Sequence, residues 1–252
     1  MAILTDQTAH FYEELPKHIT SIQVREQVPP WYQTERSSPE PNRTNATRNP
    51  ESQQEDVKRL TEAGLDCYNN GKLEEAAECY RKALELHPDS IVALYTLGVA
   101  SGQLKRYEES KEAFERLLRL LEGLGSVVGG STLATAHQGI GAALLGLWVT
   151  EPQEPPFELA SEGEIEFRRA VALDPNYFLG WVGLGLALHI LERLDEAEAA
   201  FRKALEIDPD SNVAKERLRG VLRAFMQKAK GIWKDRHDLP LLEHLRRDWN
   251  RF

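Results

Sequence analysis

The chain has 252 residues with 41% apolar and 28% charged side chains of both signs, enough to bury a sizeable core behind wet outer faces. Its formal net charge of −9 argues against nucleic acid as the partner of the whole molecule. No apolar run approaches the 18 residues of a membrane span, and two cysteines, Cys67 and Cys79, are too few for a disulfide framework.

The N-terminus carries neither a basic segment nor an apolar one of the kind that makes a signal peptide. A reducing, cytoplasmic location is the expectation, and the sequons at Asn42 and Asn45 then carry no meaning. Residues 10–32 are rich in large apolar side chains, among them Phe11, Leu15, Ile19, Trp31 and Tyr32. Residues 37–56 hold a single one, Ala46, and read as an unfolded linker, so residues 1–56 are expected to be largely disordered or extended.

From residue 57 a pattern repeats. The stretch Ala63–Ser90 and the stretch Leu184–Ser211 share Gly, then Ala twelve residues on, an aromatic four further, Ala three further and Pro five further. The residues are Gly64, Ala76, Tyr80, Ala83 and Pro88 in the first, and Gly185, Ala197, Phe201, Ala204 and Pro209 in the second. Gly64 and Ala76 are the expected point of close approach between two antiparallel helices. Asn70-Gly71 makes the turn between them, and Pro88 ends the second helix by lacking an N–H and disfavouring helix at His87.

This pattern resembles the tetratricopeptide repeat (TPR), a 34-residue helix–turn–helix unit. The resemblance implies an all-α fold, a TPR α-solenoid in which about four units wind into a right-handed superhelix. The units are expected at 57–90, 91–130, 131–177 and 178–211. The second lacks the closing proline, with Glu122 in its place. The third is split by about ten extra residues around Pro152–Pro156, between helices near 132–149 and 158–173. Residues 212–252 are expected to form a capping helix, about 212–230, and a short amphipathic helix, about 239–251.

No constellation for catalysis, cofactor or metal emerges, and no enzyme is expected. Gly123-Leu-Gly125 and Gly139-Ile-Gly141 do not complete a dinucleotide loop and suit close helix packing. The seven histidines lack ligand spacing, and His137 reads as packed between helices. Glu74-Glu75 and Glu108-Glu109 fall at helix starts, where carboxylates favour the positive end of the helix dipole. Pro152–Pro155 reads as a stiff loop.

The family's ligand-facing positions lie on the first helix of each unit and imply a protein-binding scaffold or assembly factor. The groove residues expected to hold a peptide or amphipathic helix are Leu65, Tyr68, Tyr95, Val99, Leu179, Val182, Leu186 and His189. Gln138 also occupies such a position. The family's clamp for chaperone C-terminal carboxylates is not reproduced: Lys58 is followed by acidic Glu62, Thr96 stands where Asn is needed, and Gly139 and Gly183 have no side chain. Two other arrangements remain open. Residues 10–32 fill the groove in cis until a partner displaces them, or the basic segment 212–252, with 11 basic and 5 acidic side chains, tethers the chain peripherally. Specific nucleic-acid binding and membrane contact are not expected of it.

Overall fold

In a computed structural model of the protein, the described residues are 50–125, 128–150 and 157–232. They form helices and turns, with no strand among them. In chain order the helices are α1 (Pro50–Asn69), α2 (Leu73–Leu86), α3 (Ile91–Gln103), α4 (Tyr107–Gly123), α5 (Gly130–Thr150), α6 (Glu158–Leu173), α7 (Phe178–Ile190), α8 (Leu194–Ile207) and α9 (Asn212–Ile232). The expected helix at 239–251 and the segment 10–32 lie outside the described residues. The fold class is all-α, as the repeat pattern predicts.

The first helix corrects one expectation. It begins at Pro50 rather than near Val57, so residues 50–56, read from their polarity as linker, are helical. A proline at the first helical position forfeits no bond, since that N–H has no partner inside the helix. Once the downstream turns are anchored by packing, each added turn extends an existing helix and needs no apolar face of its own.

The second helices end alike. His87, Asp174 and Asp208 each leave the helix in an extended conformation, immediately before Pro88, Pro175 and Pro209. Proline's ring excludes helical geometry from the residue before it. The turns within three hairpins need a left-handed residue at the same repeat position, supplied by Gly71 (φ 75°), Lys105 (φ 60°) and Glu192 (φ 57°).

The chain divides into two units, Met1–Val128 and Gly129–Phe252. In the first, α1 pairs with α2, α3 with α4, and α2 packs on α3. In the second, α5 pairs with α6 and α7 with α8, α6 packs on α7, and α9 closes against α8. Amphipathic second helices bury one stripe: Ala76, Ala77, Tyr80, Ala83 and Leu84 of α2 are inside. The first helices α3 and α7 are enclosed nearly all round.

Each hairpin is set by a glycine under an aromatic ring. A Cβ at Gly64 would come within 2.6 Å of the Tyr80 ring, at Gly98 within 2.7 Å of Phe114, at Gly141 within 3.0 Å of Phe167 and at Gly185 within 2.8 Å of Phe201. The atoms that a side chain at Gly64 would meet thus belong to Tyr80. Ala76 is fully buried, but the ring is what requires a glycine.

Candidate functional site

In the first unit, Leu65 and Tyr68 lie on α1, and Tyr95 and Val99 on α3. Leu65 is half-buried; the other three are buried, with Val99 entirely inaccessible. Tyr68 is tied to α3 by Gln103, whose Nε2 donates to the phenol oxygen at 2.6 Å. Tyr95 meets Phe114 of α4 edge-on, with ring centroids 6.0 Å apart and planes at 78°. Thr96 is buried and turns its hydroxyl back on the Val92 carbonyl at 2.7 Å.

In the second unit, Leu179, Val182 and Leu186 follow one another along α7 and are buried. His189 at the end of that helix is half-buried. Burial holds its imidazole below the ordinary histidine pKa, and the positive charge of Arg217 on α9 adds to this. So the eight groove residues fall on first helices, and six of them are covered.

Gln138 occupies one of the ligand-facing positions of the repeat pattern but is not among the eight groove residues expected to hold the partner. It sits in the middle of α5, fully inaccessible among Ala134, Ala142 and other apolar neighbours in the chain. Tyr177, at the head of α7, donates its hydroxyl to Gln138 Oε1 at 3.2 Å. The amide Nε2 has no hydrogen-bond partner. The signal was available: an amide inside an otherwise apolar helical run is costly to bury unless something uses it.

The outer, second-helix side is laced with ion pairs. In the first unit, Arg81 grips Glu109 through Nε at 2.6 Å and Nη2 at 3.0 Å, and Ser101 donates to the same carboxylate at 2.8 Å. These contacts hold the Glu109 carboxyl below its usual pKa. In the second unit, Arg193 donates to both oxygens of Glu164, and Arg168 joins Glu164 to Glu196. His137 is packed between α5 and α6, its Nδ1 at 2.7 Å from Glu166.

Cys67 and Cys79 are free thiols. Among the described residues no cluster of three His, Cys, Asp or Glu side chains is placed to hold a metal ion. No described helix is long and apolar enough to cross a membrane. Of the basic segment that would serve as a tether, residues 233–252 lie outside the described residues.

Successive antiparallel hairpins, each with a glycine under an aromatic ring, define a helical-repeat fold. The chain carries tetratricopeptide repeats. Models of this repeat match residues 64–105, 91–120 and 178–211. A curated relative, tetratricopeptide repeat protein 37 of Xenopus laevis, is 39% identical over 61 residues, which is 24% of this chain and 4% of the relative. The chain thus matches only a small piece of that protein.

Among solved structures, a thermophilic TPR protein of Thermus thermophilus has a TM-score of 0.56 at 18% identity, covering 77% of this chain and 97% of that one. MamA of Desulfovibrio magneticus RS-1 has a TM-score of 0.50 at 20% identity, covering 72% and 98%. The Cut9–Hcn1 assembly of APC/C has a TM-score of 0.55 at 15% identity, covering 66% and 30%. At these identities the likeness concerns the fold. TPR folds generally serve protein–protein interaction.

Proposed function

We propose that the chain is a non-enzymatic interaction scaffold whose partner, a peptide or amphipathic helix, is held on the first helices of the repeats. The observation that carries this reading is the unpaired Gln138 amide. A buried donor without an acceptor costs about 1–3 kcal/mol. Gln138 is fully covered, so a partner reaches it only after the residues over it are displaced; the backbone carbonyl of a segment that takes their place is an acceptor that removes this cost, and Tyr177 keeps the amide oriented by occupying its oxygen. Leu179, Val182 and Leu186 supply the apolar wall in the second unit; Leu65, Tyr68, Tyr95 and Val99 supply it in the first.

The test places a photo-crosslinking amino acid at half-buried Leu65 or His189, and as a control at exposed Ser161 on α6, in the full chain. Adducts with one partner from the first-helix positions, weakened by Gln138→Leu, are expected. Adducts arising only from position 161 would overturn the reading.

The burial of six groove residues favours a second reading of the same surface. A covered groove opens to a partner only if its cover is displaced, and residues 10–32 have the apolar content to be that cover in cis. Removing residues 1–49 should then raise affinity for the cross-linked partner. Unchanged affinity would eliminate the competition.

A further inference from the structure

In the first unit a cleft of about 340 Å³, lined by none of the groove residues just discussed, lies between α2 and α4. Its walls follow from helical spacing. Arg81, Leu84 and Glu85 share one stripe of α2, and Glu109, Glu112, Ala113 and Arg116 share one stripe of α4. Leu97 of α3 rises between them, so Leu84, Leu97 and Ala113 form an apolar floor.

Both ends of the cleft are bridged. At one end Arg81 chelates Glu109. At the other, Arg116 Nη2 donates to the Pro88 carbonyl at 3.0 Å. The two arginines are therefore engaged within the unit. Between the bridges stand Glu85 and Glu112, both exposed, and neither makes a hydrogen bond or ion pair, whereas Arg81, Glu109 and Arg116 of the same cleft are engaged. The cleft thus offers a narrow apolar floor beneath two unpaired carboxylates.

We propose that this cleft binds a lysine or arginine side chain of a partner protein. The alkyl stem lies over Leu84, Leu97 and Ala113, and the cationic head sits between Glu85 and Glu112. Long basic side chains are suited to this division, since their stems bury readily while their heads stay at the rim. A chain with a net charge of −9 also draws cationic segments toward it. The cleft shares no residue with the proposed groove, so either assignment stands or falls without the other.

The experiment uses the full chain labelled with ¹⁵N and a capped pentapeptide of one central lysine flanked by alanines, with norleucine and glutamate versions as controls. The lysine peptide should shift the amide signals of Leu84, Leu97 and Ala113, the norleucine peptide should bind more weakly, and the glutamate peptide should leave them unmoved. Glu85→Gln with Glu112→Gln should weaken lysine-peptide binding about fivefold, the effect of two exposed ion pairs. Raising salt on the unaltered chain should weaken the lysine peptide and spare the norleucine one, a readout that does not depend on the variant. Equal binding of lysine and norleucine, preference for glutamate, or no shift at these amides would overturn the assignment. So would shifts that follow protein concentration without peptide, which would give the cleft to a second copy of the chain.

Discussion

Gly141 lies under the ring of Phe167, twenty-six residues further along the chain, whereas Gly64 lies under Tyr80, Gly98 under Phe114 and Gly185 under Phe201 at an offset of sixteen. The third hairpin thus keeps the contact of the others while accommodating ten additional residues in its connection. Phe167 also rests on Gly183 of α7, so one ring locks its own hairpin and the next.

That double contact sets an order of sensitivity. Gly183→Ala places a methyl group inside the Phe167 ring, closer than Gly141→Ala does at 3.0 Å. Overpacking of this kind costs about 1–3 kcal/mol. Urea unfolding should show Gly183→Ala as the more damaging of the two. The reverse order would mean that Phe167 yields toward α5.

Tyr80 occupies the repeat position that phenylalanine holds at 114, 167 and 201. Its hydroxyl is buried without a hydrogen-bond partner, and burial pushes the phenol above its usual pKa. Thr96 beside it donates its hydroxyl proton to the Val92 carbonyl, and its oxygen, still able to accept, partly offsets that rise without reaching hydrogen-bond geometry with Tyr80. Tyr80→Phe removes an unsatisfied polar atom and leaves the ring over Gly64. The variant should be as stable as the parent or more so, by up to about 1–2 kcal/mol. A clear loss of stability in thermal melts would show that the hydroxyl is bonded in solution.

Lys105 and Glu192 hold the left-handed conformation that Gly71 holds in the first hairpin. A side chain there costs about 1 kcal/mol relative to glycine. Lys105→Gly should stabilise the chain by about that amount. Glu192→Gly should gain less, because it forfeits the 3.0 Å contact with Lys228. Gly71→Ala should destabilise. Equilibrium denaturation of the three variants checks all three signs.

These positions show what could be read in advance and what could not. The breaks at Pro88, Pro175 and Pro209, the turn at Gly71 and the glycine–aromatic register are local signals, and they delivered the hairpins. The start at Pro50 was hidden because residues 50–56 owe their helix to the turns they continue, not to their own composition. That the Tyr80 ring lies over Gly64 could not be read from a one-dimensional spacing, which gives equal standing to Ala76 and Tyr80. Gln138 was visible as a polar residue in an apolar run, but its unpaired nitrogen depends on where Tyr177 arrives. The burial of Tyr95, Val99, Leu179, Val182 and Leu186 depends on what packs over them, which repeat spacing does not encode.

Arg81 and Glu109 stand 28 residues apart and tie consecutive hairpins of the first unit, as Arg168 and Glu196 do at the same spacing in the second. Both Arg81 and Glu109 are partly exposed, at 37% and 29%, so solvent screening limits their coupling to about 0.5–1 kcal/mol. A double-mutant cycle of Arg81→Met and Glu109→Gln measures it. The Glu109 carboxyl titrates below its ordinary value of 4.5 in the folded state, so its contribution is present above pH 4.5 and is lost as pH falls through the lowered folded value. The coupling should vanish in acid, and a coupling unchanged there would place the interaction in packing rather than charge.

His189 gives the opposite charge type to test. Its folded pKa lies below the ordinary value of 6.5 because burial penalises the imidazolium, with Arg217 repelling it in addition. Above pH 6.5 both folded and unfolded states hold it neutral, and it contributes nothing to pH dependence. As pH falls through 6.5 the unfolded state takes up a proton first, so stability declines until the folded value is passed. Melting temperatures of the parent should therefore drop more between about pH 7.5 and 6.0 than those of His189→Leu, which cannot titrate. Equal drops would show that the imidazole protonates in place, with Arg217 turned away.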